Sequence, residues 1–371
     1  MKAVVTYVPA GSGHQRAAEA IHQALTEQGD STRPTLLDAL DGADAGYRWA
    51  FTRGYLNLID RNPLVWSLLY HLTDLSLLSR AVQLLHRLNN RWHGRGLEKI
   101  LLDERPDAVV ATHFFPAEVA SHLKSRGGCS FRLITVITDY LPHALWIAPG
   151  VDAYAVASPQ SREALIRRGV PPERIHVLGI PIHPRFAGRA DRIPLAHQLG
   201  LDPERFTLLI GSGGAGTGPV TSIVASLDAV RQPIQILVVA GKNAALFESL
   251  EKLRARIRHP IKVYGFIDNM DELMDVSDLI ITKPGGLTCA EALAKGLPLF
   301  LTAPIPGQES RNARLLEEMG TAVWIRRIKE IPQRLSGFLE TPQRLERLRQ
   351  KAREAARPQA ALEIARLASR S

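Results

Sequence analysis

The chain opens with the stretch KAVVTYVPAGSGHQRAAEAIHQAL, residues 2–25. The apolar and β-branched run Ala3–Val8 predicts a strand that is buried on both faces. Two glycines then allow a tight turn, after which Ala17, Ile21 and Ala24 repeat with helical spacing. A strand that leads through a glycine loop into a helix is the building unit of parallel α/β sheets.

The same alternation of short apolar runs and helical patterns continues along the chain. Between the predicted strands lie helices such as Gln15–Gln28, Pro159–Arg168 and Thr288–Lys295. The remaining predicted strands are Ala108–Thr112, Leu133–Thr138, Ala153–Ala157, Ile175–Leu178, Thr207–Ile210, Ile234–Ala240, Lys262–Tyr264, Leu279–Thr282, Leu297–Leu301 and Ala322–Ile325. The fold class is therefore α/β, with doubly wound parallel sheets.

The length of 371 residues suits two domains better than one. Strand character stops over Pro184–Asp202, where proline, glycine and arginine accumulate. We therefore expect an N-terminal domain over residues 1–190 and a C-terminal domain over 200–345, followed by a helix over 346–371. Ligands of open α/β sheets bind at the carboxyl ends of the strands, so we expect the two domains to face each other across a ligand-binding cleft.

Composition narrows the class of protein. The only two cysteines, Cys129 and Cys289, lie far apart, which indicates a reducing compartment rather than a disulfide scaffold. We see neither a signal peptide nor a membrane-spanning run, so a cytoplasmic location is expected. The net charge of +9 favours an anionic partner, although a solubility preference would also produce it. The sequence lacks nucleic-acid-binding motifs, so we expect no nucleic acid partner.

One segment, residues 43–99, has helical periodicity but no predicted strand. It is rich in aromatic and basic residues, which suits a surface that contacts an anionic membrane, since rings settle among headgroups and arginines pair with phosphate. The candidate contact residues are Trp66, Tyr70, Arg80, Arg87 and Arg91. The alternative is a helical insertion whose aromatic rings pack on its own sheet, and the sequence does not decide between the two.

The first glycine loop, Gly11-Ser12-Gly13-His14, lacks the third glycine of a dinucleotide fingerprint and the Gly-Lys-Ser/Thr of a P-loop. It presents an imidazole at the carboxyl edge of the sheet instead. With an ordinary pKa of about 6.5, His14 could take a proton from a hydroxyl at neutral pH. The alternative is a histidine that only caps the helix.

A second glycine loop, Gly211–Gly218, follows the predicted strand Thr207–Ile210. The next strand ends in Gly241-Lys242-Asn243, without the acidic residue that would hold the ribose of NAD. We therefore interpret this loop as a phosphate cradle, the alternative being glycines that serve only tight packing.

Two further loops carry hydrogen-bonding groups after strands. Lys283–Glu291 places two glycines before a helix, with Glu291 near its first turn, where a carboxylate could accept ribose hydroxyls. Pro306-Gly307-Gln308-Glu309 brings an amide and a carboxylate together, which suits a polyhydroxylated ligand.

Taken together, these motifs resemble a known family. Gly11-Ser12-Gly13-His14, Val136-Ile137-Thr138-Asp139, Gly179-Ile180-Pro181-Ile182 and Pro306-Gly307-Gln308-Glu309 are similar to motifs of the diacylglycerol glycosyltransferases, which comprise the monogalactosyldiacylglycerol synthases and the processive diacylglycerol glucosyltransferases. A more distant similarity is to the N-acetylglucosaminyltransferase of peptidoglycan precursor synthesis.

The resemblance implies a GT-B fold and an inverting transfer of a hexose, glucose or galactose, from a UDP-sugar to diacylglycerol or a related glycolipid at the inner face of the cell membrane. It implies no cofactor and no metal, and that the last helix crosses back to the first domain. His14 would be the general base, and we add Asp139 as a second catalytic candidate. The implied UDP-sugar contacts are Gly13, Gly213, Gly214, Phe266, Ile267, Gly285, Gly286, Thr288, Glu291, Gln308 and Glu309.

Three alternatives remain open from the residues. The same fold could transfer sugar to a polyisoprenoid or cell-wall precursor. A UDP-sugar epimerase would need carboxylates near the anomeric carbon, and Asp139 keeps this possibility open. A binding protein without catalysis would fit the net charge alone, although His14 together with convergent glycine loops favours an enzyme.

Overall fold

The computed structural model describes residues 1–29, 33–54, 58, 62–74 and 93–370 and divides into two compact units. The first unit comprises residues 1–184, 305–311 and 357–371, and the second comprises 185–304 and 312–356. The unit boundary after Pro184 lies within the region where strand character stops in the sequence.

Over the described residues, each unit is built around a parallel sheet of six strands. The strands of the first sheet are β1 (Lys2–Tyr7), β2 (Arg33–Asp38), β3 (Ala108–Ala111), β4 (Arg132–Val136), β5 (Ala153–Val156) and β6 (Ile175–Val177). Those of the second are β7 (Phe206–Gly211), β8 (Ile234–Val239), β9 (Ile261–Tyr264), β10 (Leu279–Thr282), β11 (Leu299–Leu301) and β12 (Ala322–Trp324). Strands such as β3 and β8 are buried along their whole length, as expected for a sheet covered on both faces.

The helices that surround the sheets are numbered here in chain order over the described residues. They are α1 (Ser12–Thr26), α2 (Ala45–Trp49), α3 (Pro63–Asp74), α4 (Arg95–Glu104), α5 (Phe114–Ser125), α6 (Pro159–Ile166), α7 (Arg192–Gln198), α8 (Val220–Ser226), α9 (Ala244–Arg254), α10 (Met270–Asp275), α11 (Gly286–Ala294), α12 (Gln308–Glu318), α13 (Ile331–Leu339), α14 (Pro342–Ala355) and α15 (Ala360–Ala368). Most described residues of the segment 43–99 are helical, as the sequence predicts.

The sequence does not predict β2. This strand pairs only with β1 and forms the edge of its sheet, where Pro34 is tolerated because one side of an edge strand needs no ladder hydrogen bonds. Its residues are exposed or only partly buried, so it lacks the apolar run that marks the central strands. Most other predicted strands shift by one or two residues at an end, the usual uncertainty of element boundaries.

The prediction of one C-terminal helix over 346–371 is wrong. The segment forms α14, which starts at Pro342 in the second unit, and α15, which lies in the first unit. Pro358 lacks an N–H donor and restricts the residue before it, so the chain leaves helical geometry at Ala356. Helix α15 then packs on α1, and its Ile364 and Ala365 are fully buried against the first sheet.

The order of the strands reverses once in each sheet. In the first sheet, β1 has β2 on one side and β3 on the other, so the chain switches direction between β1 and β3. In the second sheet, β7 has β8 on one side and β10 on the other, so the switch lies between β7 and β10. Loops on the two sides of such a switch diverge and leave a crevice at the carboxyl ends of the strands, where ligands of α/β sheets bind.

Candidate functional site

His14 lies at the switch point of the first sheet. It is the third residue of α1, just after β1, and its partly exposed ring contacts the loops that follow β3 and β4. Its Nδ1 atom is 2.8 Å from the backbone carbonyl oxygen of Thr112 and 2.9 Å from Oγ1 of Thr138. Three consecutive strand ends of one sheet therefore fix the position of this ring.

These contacts determine which ring nitrogen carries the proton. A carbonyl oxygen can only accept a hydrogen bond, so Nδ1 of His14 is the N–H that donates to Thr112. The lone pair of the neutral ring is then on Nε2. The hydroxyl of Thr112 also donates to the backbone carbonyl of His14 at 2.9 Å, which ties the first turn of α1 to the end of β3. The arrangement holds the imidazole in the tautomer that a general base requires.

The surroundings of His14 keep it neutral. Burial lowers the pKa of His14 below its ordinary value, while the negative charge of Asp139 opposes this shift. Burial, together with the charge that His14 would carry when protonated, holds the pKa of His113 well below its usual range. The His113 ring meets the His14 ring edge to face at 4.8 Å between centroids, and the Trp146 ring lies 6.1 Å away.

The sequence does not predict Thr112 or His113 as site residues, and Thr138 is named there only as part of a motif. Thr112 and His113 directly follow β3, the strand beside β1, so a correct strand order would have placed them next to His14. Such an order depends on pairings between segments about 100 residues apart, which local periodicity does not reveal.

We expect the loss of kcat/KM at acidic pH to follow the protonation of His14. Because the folded pKa of His14 is lowered, the base stays deprotonated as the pH falls past the ordinary histidine value, and activity is lost only as the pH falls through the lowered value. Replacing Asp139 with asparagine removes the charge that raises this pKa, so the loss of activity should move to lower pH. An acidic limb that stays in place in Asp139→Asn would contradict the electrostatic role of Asp139.

The switch point of the second sheet joins two glycine loops. The loop 212–219 follows β7, and the loop 283–285 follows the adjacent strand β10. Nζ of Lys283 donates to Oγ1 of Thr217 at 2.6 Å, which links the two loops. Gly213 is exposed and Gly214 partly exposed, so their backbone is open to a ligand. The sequence predicts no role for Lys283, although its charge lies beside the loop that is interpreted as a phosphate cradle.

Glu291 does not lie near the first turn of its helix, contrary to the prediction. Helix α11 begins at Gly286, two residues earlier than expected, because Gly285 serves as its N-cap. Glu291 therefore lies in the second turn, and its side chain is only 4% exposed. Thr288 remains in the first turn and is partly exposed.

The expected uracil contacts lie in the loop after β9. Phe266 is 45% exposed, and Ile267 is partly buried. Nζ of Lys242, which follows β8, lies 5.0 Å from the centre of the Phe266 ring. A large exposed ring steadied by a cation offers a flat surface to a planar base.

The segment 305–311, which belongs to the first unit, carries Gln308 and Glu309 at the start of α12. Oε2 of Glu309 accepts a hydrogen bond from the Ile305 N–H at 2.7 Å, which fixes the carboxylate within its own loop. Gly307 approaches helix α3 so closely that a Cβ atom there would lie 2.8 Å from the Tyr70 ring.

An ion-pair cluster joins the same segment to the end of α3. The Asp74 carboxylate accepts hydrogen bonds from Arg168 at 2.8 and 2.9 Å, from Arg311 at 2.7 Å and from the Ala144 N–H at 2.9 Å. Burial alone would raise the pKa of Asp74, but the nearby His143 and the two arginines hold this pKa below its usual range. Helix α3 and the segment with Gln308 and Glu309 are therefore fixed to each other.

Helix α3 has an apolar outer face. Its exposed apolar side chains repeat at helical spacing and form one stripe. They are Leu64 (82% exposed), Val65 (48%), Leu68 (60%), Leu69 (45%) and Leu72 (37%).

The prediction that Tyr70 lies at the contact face is wrong. Trp66 and Tyr70 are one helical turn apart on the inner side of α3, where Tyr70 is 8% exposed and packs 4.5 Å from the His143 ring. Trp66 is partly buried beside it. Arg80, Arg87 and Arg91 lie outside the described residues, so their contact with anionic headgroups stays a prediction.

Comparisons with known proteins cover nearly the whole chain. Residues 14–182 match the family model described as Monogalactosyldiacylglycerol (MGDG) synthase, and residues 206–369 match the Glycosyltransferase family 28 C-terminal domain. The processive diacylglycerol beta-glucosyltransferase of Bacillus cytotoxicus is 38% identical over 72% of this chain and 69% of its own length. The protein of the same name from Bacillus subtilis is 32% identical over 81% of this chain and 77% of its own length.

The fold also matches solved structures. The crystal structure of Acinetobacter baumannii MurG superposes with a TM-score of 0.66, covering 99% of both chains at 18% sequence identity. At that identity the match supports the fold alone.

Proposed function

Since the chain belongs to the family of the monogalactosyldiacylglycerol synthases and processive diacylglycerol glucosyltransferases, we propose that it transfers glucose or galactose from a UDP-sugar to diacylglycerol or a related glycolipid, with inversion at the anomeric carbon. The chain is a glycosyltransferase, and the predicted family and GT-B fold are confirmed. The observation that carries the proposed reaction is the neutral His14, whose Nε2 lone pair is set by the Thr112 carbonyl at the switch point of the first sheet.

His14 would act as the general base. Its Nε2 takes the proton from the acceptor hydroxyl, the hydroxyl oxygen forms a bond to the anomeric carbon, and the bond between that carbon and UDP breaks. The carboxylate of Asp139 favours the charged imidazolium that forms, since its charge raises the pKa of His14. His113 packs against the His14 ring and stays neutral, so it does not compete with His14 for the proton.

The second unit would bind the nucleotide. The backbone of Gly213 and Gly214 and the first turn of α11, from Gly286 to Thr288, offer N–H groups to the diphosphate. Lys283 adds a positive charge beside the same loops. Uracil would stack near Phe266 and Ile267, the ribose hydroxyls would meet Glu291, and Gln308 and Glu309 would bind the sugar hydroxyls.

We expect chelation of divalent cations with EDTA to leave the transfer rate unchanged. The leaving diphosphate needs positive charge, and Lys283 together with the N-terminus of α11 would supply it without a metal. The measurement is the initial rate with and without EDTA, with added Mg²⁺ as a control. A rate that falls with EDTA and returns with Mg²⁺ would contradict metal-independent transfer.

The acceptor would be reached at a membrane surface. No helix within the described ranges has the length and apolar character needed to cross a bilayer. Helix α3 has twelve residues and is therefore about 18 Å long. Its apolar stripe runs along one side, and the ion pairs of Asp74 fix the C-terminal end of the helix to the rest of the first unit. A rigid helix with an exposed leucine face suits shallow insertion parallel to the membrane plane.

We expect the substitutions Leu64→Gln and Leu68→Gln together to lower binding to lipid vesicles by roughly two decades. Each buried leucine is worth about 1.5 kcal/mol at the low end, and about 1.4 kcal/mol corresponds to a factor of ten. The measurement is co-sedimentation with vesicles of graded anionic content. The double substitution Leu102→Gln and Ile193→Gln, which changes exposed apolar residues elsewhere, is the matched control.

The same assay tests the three predicted arginines. Arg80→Gln, Arg87→Gln and Arg91→Gln in one variant should weaken binding only to anionic vesicles, and the effect should fade with added salt. Vesicle binding that is equal in the parent, the leucine variant and the arginine variant would rule out the proposed membrane surface.

The experiment that tests the proposed function is a donor comparison. UDP release is measured with UDP-glucose, UDP-galactose and UDP-N-acetylglucosamine in the presence of vesicles with or without diacylglycerol. We expect release to depend on diacylglycerol and to favour one of the two hexoses. Release that ignores diacylglycerol for every donor would contradict the proposed acceptor.

A further inference from the structure

A cluster of basic side chains surrounds a cavity of about 220 Å³ in the second unit. This volume is more than ten times the 10–15 Å³ or so that a single water requires. The cavity lies at the C-terminal end of α11, because Lys295, the C-cap of that helix, is part of its wall. The loops proposed for the diphosphate lie at the other end of this nine-residue helix, roughly 13 Å away.

Two of the residues that line the cavity, Lys295 and Asp275, form an ion pair and neutralise each other. Nζ of Lys295 lies 2.7 Å from Oδ2 of Asp275, and the two side chains are only 2% and 5% exposed. Nζ also donates to the carbonyl of Gly188 at 2.7 Å. On one side, Arg192 donates with both terminal nitrogens to Asp278, at 2.5 and 2.8 Å.

The other arginines are poorly neutralised. Among the described residues, Arg353 has only a loose ion pair with Glu346 at 3.6 Å. Arg349 pairs with Glu346 at 3.0 Å and with Asp278 at 3.5 Å. Arg189 forms no salt bridge with any residue in the described part of the chain, and its guanidinium donates to the backbone carbonyl of Lys295. Burial and the charges of Arg353 and Arg349 lower the pKa of Arg189, while the charge of Asp275 opposes this shift.

Two of these arginines meet at one glycine. A Cβ atom on Gly296 would lie 2.5 Å from Nη2 of Arg189 and 2.8 Å from Cγ of Arg353. Two positively charged side chains are thus packed together at the C-terminal end of α11. A single cationic side chain would be enough to cap this helix end. Five basic residues line the cavity, and three carboxylates, Asp275, Asp278 and Glu346, form ion pairs with them, so the basic side chains outnumber their carboxylate partners.

We propose that this cavity binds a phosphate group in its doubly charged form, held by Arg189 and Arg353 and assisted by Arg349. A dianion would be favoured because the basic side chains around the cavity outnumber the carboxylates that pair with them. The planar donor fork of arginine matches the spacing of phosphate oxygens. The site is separate from the donor loops, so it would bind a second phosphate while a nucleotide is present. The phosphate could belong to a soluble compound or to a lipid headgroup.

Titration calorimetry tests the site with inorganic phosphate at constant ionic strength and with saturating UDP, which fills the donor loops. We expect the parent to bind one phosphate, and Arg189→Gln with Arg353→Gln to weaken binding by about tenfold or more, since each removes hydrogen bonds to a charged group. The control variant Arg231→Gln with Arg347→Gln, two exposed arginines of the same unit, should bind as the parent does. The single variant Arg353→Gln covers the case in which the double variant does not fold.

A second arm identifies the source of the phosphate. Phosphatidylcholine vesicles with and without phosphatidic acid are compared for the parent and the arginine double variant. Binding of free phosphate without a gain on phosphatidic acid indicates a soluble ligand, and a gain on phosphatidic acid that only the parent shows indicates a headgroup. If neither arm separates the parent from the double variant, Arg189 only caps α11 and the proposal is wrong.

Discussion

Replacing His14 with alanine is expected to lower turnover by about 10²-fold or more while the affinity for UDP stays close to that of the parent. The reason is that His14 belongs to the first unit and would act on the acceptor hydroxyl, whereas the nucleotide would be bound by loops of the second unit. Steady-state rates and titration calorimetry with UDP measure the two quantities separately. The residual activity of the variant should also lack the acidic limb of its pH profile, because the titrating base is gone.

The matched control for this substitution is His197→Ala, which removes an exposed histidine on α7. It should change neither turnover nor UDP affinity. An His14→Ala enzyme that keeps the parent's rate, or that loses UDP binding while its melting temperature is unchanged, would be incompatible with a general base at this position.

Replacing Glu291 with alanine is expected to weaken UDP binding by about ten- to a hundredfold. Hydrogen bonds to a charged group are worth roughly 1.5–3 kcal/mol, and about 1.4 kcal/mol corresponds to a factor of ten. Glu291 is buried on α11, one turn beyond the proposed diphosphate contacts, so its carboxylate is held in a defined position. Calorimetry with UDP measures the loss, and Glu248→Ala, on the exposed side of α9, is the control.

A buried carboxylate can also be purely structural, and a ligand with fewer hydroxyls separates the two roles. If Glu291 accepts ribose hydroxyls, the parent should prefer UDP over its 2′-deoxy or 3′-deoxy form, and the Glu291→Ala variant should lose that preference. A variant that is less stable but still discriminates between these ligands would assign Glu291 to the core instead.

The sequence predicts the elements that carry strong local signals. Strands such as β3 and β11 are continuous apolar runs, and the glycine loops after β1, β7 and β10 mark where the chain turns into helices. The amino-acid sequence alone therefore identifies the chemically important loops, and the fold places them at the two switch points.

What the sequence could not provide depends on long-range pairing. The edge strand β2 has no apolar run, and Thr112 becomes a neighbour of His14 only through the pairing of β1 with β3. The tautomer of His14 follows from that contact alone. Trp66 and Tyr70 are four residues apart and so share one face of α3, but the sequence could not say which face points inward, because this depends on Gly307 and Arg311, which contact the helix from a distant part of the chain.

The decisive experiment for the proposed reaction follows the sugar itself. Purified protein is incubated with diacylglycerol vesicles and UDP-glucose or UDP-galactose labelled in the hexose, and the lipid is extracted into chloroform and examined by proton NMR. We expect labelled glycolipid with a β-linked sugar, formed by the parent and about 10²-fold more slowly by the His14→Ala variant. Label that stays in the aqueous phase, or a product with an α-linked sugar, would contradict an inverting diacylglycerol glycosyltransferase.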